Sequence, residues 1–197
     1  MIKTLISIKR RFPGLWRGVE GVNGLLFRLR YRRMLPVAEE VLRGKAAAGC
    51  SFAVVREDDL TALESFIRRQ PEESFTWFHP HSFDRATLER LFRNPSFLMM
   101  QVRTPEGETV GYFFLRGFFI GQAFAGLLVD KSWQNQGIGT AIWASCAEIC
   151  SRTGLRMEAT VSTDNKPSIA SCRKGTEIDY VRPLENTYVT FECREKK

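Results

Sequence analysis

Gln134-Asn135-Gln136-Gly137-Ile138-Gly139-Thr140 stands between two apolar segments of different period. Upstream, Ala123 to Val129 reads as a strand. Downstream, Ala141 to Ile149 has the spacing of a helix. Glycines at such a junction let main chain approach a ligand, since no Cβ intervenes. The first N–H groups of the helix lack intrahelical partners, and the helix dipole favours negative charge there. The stretch therefore reads as a pyrophosphate cradle made of backbone, or else as plain loop punctuation. It is neither a dinucleotide fingerprint, because no third glycine follows in Thr140 to Trp143, nor a P-loop, because no Gly-Lys-Ser/Thr follows.

Working outward, Leu127-Leu128-Val129 closes the preceding strand. Leu155 to Ser162 reads as the next strand, and Asn165-Lys166-Pro167-Ser168 opens a further helix. Together these pieces resemble the general amine N-acetyltransferase superfamily, GNAT, whose Gln/Arg-x-x-Gly-x-Gly/Ala signature corresponds to Gln134 through Gly139. The resemblance is fullest over residues 97–193, extends over 51–96 and does not reach earlier. It implies an α/β fold with a central, twisted, mostly antiparallel sheet in which two neighbouring strands splay apart around acetyl-coenzyme A. It also implies that the cofactor contacts Leu127, Leu128 and Val129 through strand-like pairing, Gln134, Asn135, Gln136, Gly137, Ile138, Gly139 and Thr140 through the turn, and Asn165. Asn165 also fits a helix cap.

The pattern departs from the family at the chemistry. Where the family often has a tyrosine, seven residues after Asn165, this chain has Cys172. Its thiol is a candidate acid for the leaving group, set against the reading of a buried structural cysteine. The carboxylate often found early in the preceding strand is missing, with Gln122, Ala123 and Phe124 in that region. His79 and His81, the only histidines, are the substitute bases, on a loop that closes over the acceptor pocket in this family. Glu72, Glu73 and Asp84 are weaker candidates. Phe75, Trp77 and Phe78 form either an aromatic wall for the acceptor or anchors of their loop.

The rest of the chain sets bounds. With 197 residues, 44% hydrophobic and 26% charged, one well-buried domain is expected. Strands are expected at 51–56, 97–103, 109–120, 176–181 and 187–193, a hairpin turn at Pro105-Glu106-Gly107, and a helix capped by Asp84. Five cysteines show no metal spacing, so no metal is expected; their odd number and the lack of a secretory signal favour reduced thiols in a cytoplasm. No apolar run approaches the roughly 20 residues of a membrane span.

Residues 1–50 hold eleven Lys/Arg against three Glu, a net +8, while the remainder holds 18 against 19, a net −1. Residues 1–49 are expected to form a basic amphipathic leader outside the catalytic domain at 50–197. That leader either docks on the core as helices or meets anionic lipid through residues 1–33; a transit peptide fits its acids poorly. The expected function is acetyl transfer to a primary amine of a small molecule, with an amino sugar for surface polysaccharide favoured. The alternatives are a protein or peptide amine acceptor and a non-catalytic acyl-CoA-binding module. No nucleic-acid partner is expected; a homodimer is left open.

Overall fold

The computed structural model describes residues 13–184 and 187–196. The part of the leader before Pro13 lies outside the described residues. Eight strands form one sheet in the order β1-β2-β3-β4-β5-β6-β8-β7. They are β1 (Ala46–Ala47), β2 (Cys50–Val54), β3 (Phe97–Arg103), β4 (Thr109–Phe118), β5 (Gln122–Val129), β6 (Arg156–Ser162), β7 (Glu177–Pro183) and β8 (Tyr188–Arg194). Every neighbouring pair is antiparallel except β5 with β6. The expected mixed α/β, mostly antiparallel architecture is the one observed.

Alternation along the strands separates two cores. Phe113, Leu115, Ala123, Met157, Ala159, Val161 and Phe191 face one side and pack with α2 (Met34–Arg43) and α5 (Ile138–Thr153). Tyr112, Phe114 and Leu128 face the other side and pack with α3 (Leu60–Arg68) and α4 (Arg85–Phe92). Asp84 caps α4 as expected, accepting from the Thr87 N–H at 2.9 Å. The turn between β3 and β4 closes through Gly107, at φ +88°, whose N–H donates to the Thr104 carbonyl at 3.0 Å. Cys146 and Cys150, four apart on α5, are both buried on its packed face.

Residues ahead of position 50 do more than precede this sheet. Met34, Val37, Ala38, Val41 and Leu42 of α2 are buried in the larger core. Phe27 of α1 (Pro13–Arg30) is 1% exposed and lies over Gly117, where a Cβ would stand 2.2 Å from its ring. The expected boundary between 49 and 50 runs through a hairpin, since Ala46 pairs with Ser51 and Ala47 with Cys50.

Candidate functional site

The turn after β5 exposes main chain because its backbone alternates in hand. Asn135 has φ 60° and Gly137 φ 86°. Among the described residues, no N–H from Asn135 to Thr140 has a protein acceptor; the first helical bond runs from the Ala141 N–H to the Gly137 carbonyl at 3.0 Å. Successive amides of this kind make an anion-binding concavity, and the start of α5 adds its dipole. A Cβ at Gly137 would meet nothing within 4 Å. Glycine serves there for the positive φ, not for space. Gly139 has ordinary van der Waals room, with Ser171 Cβ at 3.6 Å from a built Cβ.

Gln134 belongs to the scaffold of this turn. Its N–H donates to the Lys131 carbonyl and its Nε2 to the Val129 carbonyl at 3.0 Å, tying the turn to the strand end. Gln136 Nε2 likewise donates to the Ser132 carbonyl at 3.1 Å. Both side chains are committed locally, which leaves the amides as the unpaired polar groups of the turn.

β5 and β6 pair over Gln122 to Phe124 and Arg156 to Glu158, and no further. Beyond Phe124 and Glu158 the two strands diverge. The Gly121 carbonyl accepts from the Arg156 N–H, so odd-numbered residues of β5 turn their main chain toward β6. Leu127 therefore presents its N–H and C=O to the opening, and Val129 its N–H. Leu128 differs from expectation: it sits opposite Tyr112 in the ladder with β4, and its side chain is buried. The period of two, which a contiguous reading of Leu127-Leu128-Val129 overlooks, decides this. From Val129 back to the apex at Phe124, the open edge of β5 is about 17 Å long at 3.4 Å per residue.

The apex carries a carboxylate that the sequence analysis did not single out. Glu158, 8% exposed, accepts from Gln122 Nε2 at 3.0 Å, and Arg182 stands 3.8 Å away. Met157, Ala159 and Val161 face the larger core, so Glu158 points to the opposite side, on the same side as Phe124 and Gly126. The signal was present: Glu158 is the one acid of β6, placed between core residues where alternation turns it away from the core.

The aromatic loop reaches this side. Phe78 lies over Gly126, 3.3 Å from where a Cβ would stand. It also stacks with Phe83 and edges Tyr112 and Phe114. Phe75 contacts Phe83 in the same cluster, while Trp77 is 43% exposed. Phe75 and Phe78 are thus loop anchors, and Phe78 also forms part of the wall above β5.

His81 is held between two partners. Its Nδ1 donates to the Ser82 carbonyl at 2.8 Å, and its Nε2 accepts from the Tyr112 hydroxyl at 3.0 Å. Burial pushes its pKa below the ordinary histidine value, and burial pushes the Tyr112 phenol up. The neutral ring spends its lone pair on Tyr112, which corrects its expected role as a free base. His79 is exposed on the loop, and no described group holds it toward the opening.

Cys172 is also corrected. It is 0% exposed, with its Sγ 3.7 Å from Cys193 Sγ and 3.6 Å from Thr176 Oγ1. The hydrogen bond with Cys172, together with burial, pushes the Cys193 thiol up. The side chain is closed into the core beneath α6 (Lys166–Gly175), the environment of a structural cysteine. Asn165 is the N-cap of α6, its Oδ1 accepting from the Ser168 N–H at 3.2 Å. Glu72, Glu73 and Asp84 are exposed, and hydrogen bonds from Ser82 and Thr87 hold Asp84 down at about 2.

Comparison with known proteins identifies the family of this fold. The family model described as Acetyltransferase (GNAT) family matches residues 60–175. The L-amino acid N-acetyltransferase AaaT of Escherichia coli (strain K12) is 32% identical over 139 residues, covering 66% of this chain and 85% of that protein. The GNAT domain of S. lividans PAT superposes with a TM-score of 0.62 at 19% identity, over 73% of this chain and 89% of that one. RimL, a ribosomal L7/L12 alpha-N-protein acetyltransferase solved with coenzyme A, gives a TM-score of 0.63 at 15% identity, over 77% of this chain and 96% of that one.

Proposed function

The chain belongs to the GNAT acetyltransferase family, and on that premise we propose that it transfers the acetyl group of acetyl-CoA to the α-amino group of a small L-amino acid. The family and the enzyme class are settled by the match over residues 60–175; the acceptor and the residue roles are our reading. The observation that carries it is the continuous opening from the unpartnered amides at 135–140, along the free edge at Leu127, to the carboxylate of Glu158 at the apex.

The residues fit the coenzyme. The amides of Asn135 to Thr140 would hold its pyrophosphate, and Leu127 would pair with its arm as an added strand does. Bound there, acetyl-CoA supplies an acyl carbon activated by its thioester. Glu158 then has two tasks at the apex. As a carboxylate it attracts the ammonium form of the acceptor, and as a base it takes the proton whose loss frees the nitrogen lone pair. Gln122 fixes one carboxylate oxygen and leaves the other for the amine. Arg182, half-exposed, is ion-paired with Glu158 at 3.8 Å, and its remaining guanidinium N–H groups are placed to meet the acceptor's carboxylate.

Two observations favour an amino acid over the amino sugar. An amine and a carboxylate in one small molecule match Glu158 and Arg182, and the E. coli relative is named for that acceptor class. The sugar-stacking wall, meanwhile, is largely consumed in loop packing. We place the enzyme in the cytoplasm, where its five buried free thiols stay reduced.

The test is free-thiol production from acetyl-CoA with panels of L-amino acids, amino sugars, polyamines and peptides. Turnover highest with L-amino acids supports the acceptor assignment, and a preference for amino sugars or peptides overturns it. Acetyl-CoA binding with no turnover on any L-amino acid likewise overturns the acceptor assignment.

A further inference from the structure

α1 is two-faced in a way the catalytic site does not use. At about 100° per residue, Glu20, Asn23, Gly24 and Phe27 point one way. Glu20 meets Arg90 at 3.3 Å and Arg116 at 3.0 Å. Asn23 Nδ2 donates to the Gly117 carbonyl, and Asn23 Oδ1 accepts from the Phe119 N–H. Gly24 abuts Asn94, and Phe27 is buried over Gly117.

The opposite face is apolar and bare. Val19, Val22, Leu25 and Leu29 are 52%, 60%, 59% and 69% exposed, and Leu26 is 38% exposed. The tip of the β4–β5 hairpin lengthens this surface with Phe119 and Ile120, at 42% and 59%. Arg30 joins hairpin to helix by donating to the Phe119 carbonyl at 2.9 Å. Soluble monomers seldom leave so contiguous an apolar surface without a partner.

Charge names the partner. The helix ends in Arg28 and Arg30, followed by Arg32 and Arg33, all exposed. Its only acid, Glu20, is turned inward. The first 50 residues carry a net +8 against −1 for the rest. An apolar stripe bordered by arginines, with no acid on the outer face, fits a bilayer with anionic headgroups. A second copy fits less well, because an isologous contact sets the same arginine cluster near itself with no acid to answer it. No helix among the described residues is long and apolar enough to cross a membrane, so the contact lies in the interface plane.

We infer that the outer face of α1, with the Phe119–Ile120 hairpin tip, docks this enzyme on an anionic membrane surface. Residues Val19, Val22, Leu25 and Leu29 enter the acyl boundary, and Arg28, Arg32 and Arg33 meet phosphate. The sheet side of the same helix keeps the enzyme attached through Phe27.

The experiment is vesicle flotation of the full chain, with phosphatidylglycerol mixed into phosphatidylcholine and with phosphatidylcholine alone. Wild type should float with the anionic vesicles, weaken as salt rises, and stay behind with neutral ones. Leu25→Glu/Leu29→Glu should lose more than about tenfold in partitioning while acetyl transfer to a soluble amine is unchanged, since both positions are exposed. Arg32→Glu/Arg33→Glu should lose the preference for anionic lipid. Failure of wild type to float, or flotation indifferent to both double variants, overturns the inference. Light scattering that shows a wild-type dimer and a monomer for Leu25→Glu/Leu29→Glu, without flotation, assigns the face to a second copy instead.

Discussion

The two sides of the opening between β5 and β6 are made of different material. The side assigned to the coenzyme is main chain: amides from Asn135 to Thr140 and the free edge at Leu127. The side assigned to the acceptor is side chain: Glu158 from β6, Gln122 from β5, Arg182 from β7, and Phe78 from a loop over Gly126. A main-chain site demands only a backbone shape, which many sequences satisfy if the glycines fall correctly. A side-chain site demands particular groups brought together by sheet register. The first is suited to a co-substrate common to a whole family, and the second can change with the acceptor.

Substitutions on the two sides should separate cleanly, and the largest effect belongs to the apex. Glu158→Gln keeps the shape and a partner for Gln122 but removes the base. We expect kcat to fall by about 100-fold or more with the KM for acetyl-CoA unchanged, measured by steady-state thiol release. A kcat within a few fold of wild type would remove Glu158 as the base and leave the acceptor side without one. On the other side, Gly137→Val forces a β-branched residue to φ +86°, at a cost of about 1 to 3 kcal/mol in the turn. Acetyl-CoA affinity by calorimetry should weaken by about tenfold or more, with the fold retained because no atom lies within 4 Å of the new Cβ. Unchanged affinity would break the cradle.

The same contrast explains what the sequence discloses. Gly137 and the helix that follows are local: seven residues carry the turn, and the structure starts α5 at Ile138 as periodicity requires. The strands from Phe97 to Ser162 are likewise legible from runs of apolar residues bounded by turns. Glu158 was not legible as a site residue. Its meaning depends on where the β5–β6 ladder stops, and that is set by two strands whose paired residues lie 34 apart. His81 misled for the same reason, since Tyr112, its partner, is 31 residues away. The leader was read from charge, which shows that the chain's first quarter is basic but not that Phe27 fits over Gly117.

His81 sharpens the comparison because its ring is held between Ser82 and Tyr112. Burial holds its folded pKa below the ordinary 6.5. The unfolded chain therefore binds the proton more readily, and stability must rise with pH between the folded value and 6.5. Its contribution is complete above about 6.5 and is lost as pH falls toward the folded pKa. Urea unfolding of His81→Gln should be flatter than wild type between about pH 5 and 6.5. Identical slopes would place the proton uptake elsewhere. The pH profile of kcat should be unchanged in His81→Gln, because the ring nitrogen of His81 is already engaged by Tyr112.

The smallest effect on activity is expected at Cys172, and its smallness is informative. The position where the family resemblance implied a tyrosine holds a thiol with no exposed surface, packed on Cys193 and Thr176. Cys172→Ala removes one sulfur from a close-packed layer between α6 and β8. It should cost about 1 kcal/mol or more in thermal unfolding, since the surrounding side chains relax only partly. Turnover at a temperature where the variant is folded should stay within about twofold of wild type. A large fall in kcat with stability intact would mean that the thiol reaches the cleft in a conformation other than this one, and that the acceptor side borrows a proton donor from beneath the coenzyme side. Retained activity leaves departure of the thiolate to solvent protons or to groups at the apex, consistent with a site that varies by side chain around a fixed main-chain cradle.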